Sequence, residues 1–473
     1  MHTHVSALSS LSRAGSARSR LFAAALAGMV MGAPLSAQHP DGSAAPGALT
    51  ALSPDQLRAD LKAFRSDFMG RDKSFAPAAR AEAERRLQAL EAEIDRVSRV
   101  RFELALAQVA ALADNGHTGS AAAIRSLHFD RVGLRLTPLA DEWRVLRTRE
   151  ASADLLGARL VAVDGHAIAE LRDSARALAG GVAAWRDRNA SFLMESPEQL
   201  HALGLAALPD RATYTFESQG GKTMERVLIA EPSSSGRPTG GPARWLFPEP
   251  TPAEGAGWRT LIPVASAPWA LQEPGKPFRF RAAPEINGFV VQLRQTMDAP
   301  DRSVRDFLNE MLETIKRDHP MNVVVDMRLN GGGDLNKARD FMKALPGLVP
   351  GRVFVLTSAW TFSAAISSVG YLKQAAPSKV SIVGEEVGDR QVFFAEGSGV
   401  TLPNTQARFG VATERHDYKD GCRAFSDCHG PVVRNPIAVP TFTPDIPVAW
   451  TFQAYAAGTD PAMDAVAAAL ARM

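Results

Sequence analysis

Cysteine, excess charge and long apolar runs are all scarce in this sequence, and each scarcity removes a class of function. The chain has two cysteines, and they lack the C-x-x-C-H spacing of haem attachment. Lys and Arg number 53 against 51 Asp and Glu, a net charge of +2, so the concentrated basic face of a nucleic-acid binder is not indicated. A chain that is 45% hydrophobic with so little net charge is not broadly disordered. There is no internal repeat, and the only long charge-free apolar run, Leu21 to Gly32, is too short for a permanent transmembrane helix. What is present is an ordinary globular composition over 473 residues, enough for two or three domains.

The apolar run follows Arg13, Arg18 and Arg20 and leads into Ala33-Pro-Leu-Ser-Ala37, the layout of a cleaved secretory signal. Residues 1–37 therefore read as a signal peptide, cut after Ala37 or alternatively after Ala33. No cysteine at the junction offers a lipid anchor. The mature chain is expected in the periplasm or secreted, with no membrane anchor. In that compartment the isolated pair Cys422 and Cys428 reads as a disulfide staple on a loop. The competing reading, a metal site using both thiolates and His429, lacks a fourth ligand at usable spacing. No metal is assigned.

Residues 38–52, rich in Pro, Gly, Ser and Ala, are expected to form a flexible mature terminus. Ser53-Pro54 then reads as an N-cap with Pro in the first turn, and Leu57, Leu61, Phe64 and Phe68 follow at helical spacing. Two more helices, over about 77–94 and 99–112, complete a helical N-terminal unit assigned to 53–125. The texture then turns to short strands, Val132 to Leu136, Trp143 to Thr148 and Arg159 to Val163. A hairpin follows over Gln219-Gly-Gly-Lys222. The run from Gly157 to Gly165 resembles the second half of a PDZ domain. The stretch 126–230 is accordingly read as PDZ-like, with a helical insertion around 168–205. Residues 231–258, repeating Pro, Gly and Ser, read as a linker or long surface loop. From 259 to 473 strands and helices alternate, which predicts a layered α/β domain with active groups at strand-to-helix turns.

Two such turns are unusual. In Val323-Val-Val-Asp-Met-Arg-Leu-Asn-Gly-Gly-Gly333 a strand runs into three glycines before a helix. Backbone N–H groups there suit an oxyanion, but equally a phosphate or a tight turn. In Val353-Phe-Val-Leu-Thr-Ser-Ala-Trp-Thr-Phe-Ser-Ala-Ala365, Ser363 stands at a strand-to-helix junction, as an exposed nucleophile or as a helix N-cap.

Together these segments resemble the tail-specific, or C-terminal processing, serine peptidases of the ClpP/crotonase-like fold. Asp114-Asn-Gly-His-Thr-Gly119, Val383-Gly-Glu-Glu-Val-Gly388 and Thr443-Pro-Asp-Ile-Pro-Val448 add to the likeness, in the family's order. The resemblance implies Ser363 as nucleophile. One branch of the family activates its serine with a Lys in a Gly-Lys-Gly turn, where this chain has Gly388-Asp389-Arg390. An Arg does not release its proton in proteins, so a Ser–Lys dyad is disfavoured. The tricorn-like branch uses a His, and His117 fits that role; otherwise it is a polar turn residue. Glu385 is the expected orienting carboxylate, with Glu386 and Asp445 behind it. The N–H groups of Gly332 (Gly331 as the other candidate) and Ala364 are expected to form the oxyanion hole.

The implied activity is an exported serine endopeptidase, with no cofactor, that cleaves unfolded or C-terminal segments of polypeptides through an acyl-enzyme. Two rivals remain at this stage, a catalytically idle binding protein of the same fold and a non-peptidase acyl hydrolase.

Overall fold

The computed structural model describes residues 51–232, 241–249 and 257–473. The expected signal peptide over 1–37 and nearly all of the expected flexible terminus over 38–52 lie outside the described residues. Among the described residues, no helix is long and apolar enough to cross a membrane.

Runs such as Val323-Val-Val325 and Val353-Phe-Val-Leu356 are apolar on both strand faces, which is what a strand covered on each side requires. They form the middle of a six-stranded sheet ordered Phe278–Ala283, Gly288–Leu293, Asn322–Asp326, Val353–Thr357, Val380–Gly384 and Ile446–Pro447. The first pair is antiparallel and the rest parallel. One face, with Val323, Val325, Val353, Val355 and Ile382, packs on the helices Val304–Asp318, Leu335–Leu348 and Ala364–Ala375. The other, with Val324, Phe354, Leu356 and Val383, is closed by the C-terminal helix Pro461–Leu470. Strand alternation thus decides which layer each side chain joins.

A second sheet is ordered Arg131–Val132, Thr223–Glu231, Arg211–Glu217, Arg159–Val163, Glu142–Arg149 and Leu134–Leu139, with His166–Ala167 and Trp258–Thr260 paired beside it. The expected helical insertion is present as four short helices between Ile168 and Ala202. The N-terminal helices Pro54–Ala63, Pro77–Ala92 and Arg99–Ala111 form as expected, the first with a complete capping box on Ser53 and Gln56. Their apolar faces do not close on each other alone. Val400, Leu402, Phe409 and Val411 complete that core. Buried Asp60 accepts hydrogen bonds from the Asn404 and Thr405 backbone N–H groups at 2.8 and 2.7 Å.

The stretch expected as a linker departs from its composition. Residues 241–249 place Leu246 and Phe247 in a core with Leu146, Ile262 and Tyr455, and Trp245 beside them is buried as well. Three adjacent large apolar side chains outweigh the Pro and Gly around them, since each buried one contributes about 1.5–3 kcal/mol.

Candidate active site

Ser363 occupies the N-cap position of the helix Ala364–Ala375, but its side chain makes no capping hydrogen bond. Its backbone is at φ +56°, ψ −127°. That left-handed conformation costs a non-glycine residue on the order of 1–3 kcal/mol and persists only where the surroundings enforce it. The enforcing contacts are visible. The Phe362 N–H donates to the Asn330 carbonyl at 3.0 Å, the Thr361 hydroxyl to the Met327 carbonyl at 2.9 Å, and the Ser358 hydroxyl to the Arg328 carbonyl at 2.5 Å. The serine loop is therefore tied along its length to the glycine-rich turn. An ordinary N-cap needs none of this.

The glycine turn is itself anchored at a charged knot. Arg328 is buried between Asp326 and Asp460, with nitrogen–oxygen distances of 2.9 and 2.7 Å. Burial alone would push the Asp326 carboxyl up, but the Arg328 guanidinium holds it below its ordinary value. Beyond the knot, Gly332 has φ +107°, and a Cβ built there would sit 2.6 Å from the Ser363 Cβ. Only glycine lets these two backbones approach so closely.

The expected oxyanion donors are corrected in part. The Gly332 N–H donates to the Asn330 Oδ1 at 2.9 Å and is not free. Among the described residues, the N–H groups of Gly331 and Ala364 make no hydrogen bond. The pair available to a developing oxyanion is thus Gly331, the second choice in sequence, and Ala364. Asn330 is fully buried, and no motif in the sequence marks it. Asn330→Ala strands the Gly332 N–H and is expected to cost about 1–3 kcal/mol in urea unfolding.

His117 lies on the turn between the third N-terminal helix and the strand Gly119–Ser120, which pairs with Arg408–Gly410. Its neighbours hold it from two directions. The buried Asp72 carboxylate accepts from the Thr118 hydroxyl at 2.9 Å and from the Ala412 N–H at 2.7 Å. The Asn115 amide exchanges two hydrogen bonds with the Phe394 backbone, at 2.8 and 2.9 Å. The imidazole is stacked between Phe362, 4.2 Å away between centroids, and Phe393, 5.2 Å away. Trp185, from the helical insertion, stacks on the far face of Phe362 at 3.6 Å. The insertion thereby supplies one wall of the site.

Glu385, the expected orienting carboxylate, is not the group beside His117. The Asp389 Oδ2 is 3.4 Å from the His117 Nδ1, and its side chain is 1% exposed. The Glu385 Oε1 instead accepts from the Trp450 N–H at 3.3 Å, and burial pushes its carboxyl above the ordinary value. Of the runners-up, Glu386 is exposed, and Asp445 is paired with Lys373 at 2.8 Å while accepting the Ile382 N–H. The physical reason is spacing. The Glu385 backbone is bound to Thr357 at the strand end, and four residues are needed for the chain to turn back to His117. Asp389 lies in Gly388-Asp389-Arg390, the stretch that departs from the Lys pattern. An acid where a base was sought was the available signal. Arg390 clasps Asp114 with bonds of 2.6 and 2.7 Å, which locks this stretch to the histidine turn.

Among the described residues, neither ring nitrogen of His117 nor the Ser363 hydroxyl makes a hydrogen bond. What the fold does show is that His117 stacks on Phe362, the residue before Ser363, with the buried Asp389 carboxylate beside its Nδ1. Cys422 and Cys428 form the expected disulfide, which closes the thiolate metal reading.

This arrangement defines a mixed α/β protein with a serine on a strained strand-to-helix turn. No protein-family model matches the sequence, and no curated protein matches it. Among solved structures the chain is similar to mature CPAF complexed with lactacystin, at 12% identity and a TM-score of 0.57, over 88% of this chain and 99% of that one. It is similar also to mature CPAF by itself, at 12% identity and a TM-score of 0.53, over 87% and 97%. The photosystem II D1 C-terminal processing protease matches at 14% identity and a TM-score of 0.38, over 88% and 97%. The resemblance to the tail-specific peptidases drawn from the motifs is borne out at the level of the fold.

Proposed function

We propose that the chain is an exported serine endopeptidase of the tail-specific type, with the ClpP/crotonase-like layering implied by that resemblance. The observation that carries the reading is the strained backbone of Ser363, held beside a glycine turn with free N–H groups and near a histidine backed by a buried carboxylate. Ser363 attacks a peptide carbonyl, His117 takes its proton and returns it to the leaving amine, and water then hydrolyses the acyl-enzyme. Asp389 keeps the imidazole oriented and stabilises its charged form. Gly331 and Ala364 receive the oxyanion. Polypeptide chain ends or unfolded segments are the substrate, and the PDZ-like region, 126–230, presents them by strand addition. The domain divisions at 53–125, 126–230 and 259–473 belong to the same proposal.

The test is fluorophosphonate labelling of the mature protein, with the adduct mapped by mass spectrometry. A single adduct on Ser363, absent in Ser363→Ala and strongly reduced in His117→Ala, is the expected result. No adduct, and no cleavage of an unfolded protein, would instead establish the idle binding protein.

A further inference from the structure

The stacking that begins at His117 does not end at Phe393. Phe393 stacks on His416 at 4.9 Å, and His416 on His429 at 5.1 Å. The two histidines come from different segments brought together by the fold. His416 lies in the strand Glu414–Asp417, directly across the antiparallel pair from Phe393. His429 follows Cys428, which the disulfide and a bridge to Arg415 hold against that strand. Glu396, one residue past the partner strand, turns back toward both rings with φ +61°. That conformation is strained for glutamate, and the Thr413 hydroxyl, donating to the Glu396 carbonyl at 2.7 Å, helps hold it.

The Glu396 Oε1 lies 3.3 Å from the His416 Nε2 and 3.9 Å from the His429 Nε2. One candidate ligand atom from each of the three residues lies within 4.8 Å of the other two. Two ligand atoms on one tetrahedral zinc ion stand about 3.3 Å apart, so a small side-chain rotation brings all three into range. The outer nitrogens are already occupied. The His429 Nδ1 is 2.6 Å from the Glu414 carboxylate, and the His416 Nδ1 is 2.8 Å from the Tyr418 hydroxyl, itself 2.6 Å from the Ser367 Oγ. A carboxylate only accepts, so the His429 Nδ1 carries the proton and its Nε2 turns a lone pair inward. The His416 Nε2 is buried and has no hydrogen-bond partner among the described residues. Inward-facing imidazole nitrogens and a carboxylate, with outer nitrogens fixed by a carboxylate and a hydroxyl, form the two shells of a metal site.

We infer that Glu396, His416 and His429 bind a zinc-class divalent cation, with a fourth position open to water. Two imidazoles and one carboxylate select this class over calcium or magnesium, which prefer oxygen ligands. The ion would clamp the antiparallel strand pair that carries Phe393, one wall around His117. It would use His429 without either cysteine.

The test is metal affinity, which does not depend on peptidase activity. Full-length protein is stripped with chelator and titrated with Zn2+ against a chromophoric competitor, and with Co2+ for its tetrahedral ligand-field bands. One equivalent per chain is expected in wild type. Weakening of about 100-fold or more is expected in Glu396→Gln and His429→Ala, and of roughly 10- to 100-fold in Glu414→Gln. Zn2+ should raise the Tm of wild type but not of His429→Ala, with circular dichroism confirming that each variant is folded. No binding by wild type, or equal binding by Glu396→Gln and His429→Ala, would overturn the assignment.

Discussion

Asp389→Asn is expected to lower kcat/KM on an unfolded protein substrate by roughly 10^2- to 10^4-fold, while Glu385→Gln changes it by less than about tenfold. The asymmetry follows from position. The Asp389 carboxylate is buried 3.4 Å from the His117 Nδ1, and an amide there can neither stabilise an imidazolium nor hold the same tautomer. The Glu385 carboxylate is spent on the Trp450 backbone. Gly116 and Gly388 make room for this arrangement. A Cβ at Gly116 would meet the Asp389 Oδ2 at 2.7 Å, and one at Gly388 the Ala359 carbonyl at 2.5 Å. Steady-state kinetics of the two variants, with folding checked by thermal unfolding, decides the matter. Equal losses in both would remove Asp389 from the role.

Gly332→Ala is the second large effect, and it should act on stability and catalysis together. The substitution places a Cβ 2.6 Å from the Ser363 Cβ and forces a residue with a side chain to φ +107°. The glycine turn and the serine loop cannot both stay in place. A loss of about 2–4 kcal/mol in unfolding free energy is expected, with the activity that remains in the folded fraction also much reduced. Gly347→Ala is the control. It lies in the helix Leu335–Leu348, and nothing lies within 4 Å of its added Cβ. It should be neutral or slightly stabilising in the same urea titration. A fully active Gly332→Ala protein would show that the close approach to Ser363 is dispensable.

Local signals determine a good deal of this protein without any tertiary contact. The Ser53 cap, the strands Asn322–Asp326 and Val353–Thr357, and the Gln219–Lys222 turn were legible because periodicity and turn chemistry act over a few residues. Ser363 and His117 stood out by motif. The disulfide was legible because its two cysteines are six residues apart and without competitors.

Other assignments depended on segments far apart in sequence. Glu385 and Asp389 differ by four residues, and which one reaches His117 depends on where the strand end is pinned to Thr357 and where Arg390 grips Asp114. Gly331 and Gly332 differ by one, and the Asn330 side chain takes the N–H of the second. The burial of Trp245 was hidden by the prolines and glycines around it, because composition reports the average of a segment and packing is decided residue by residue. Glu396, His416 and His429 carry no motif at usable spacing. The antiparallel register of Val392–Ala395 with Glu414–Asp417, and the disulfide behind it, make them neighbours. Short-range rules act on the chain as written, whereas the choice among chemically similar groups is made by distances that exist only once the chain has folded.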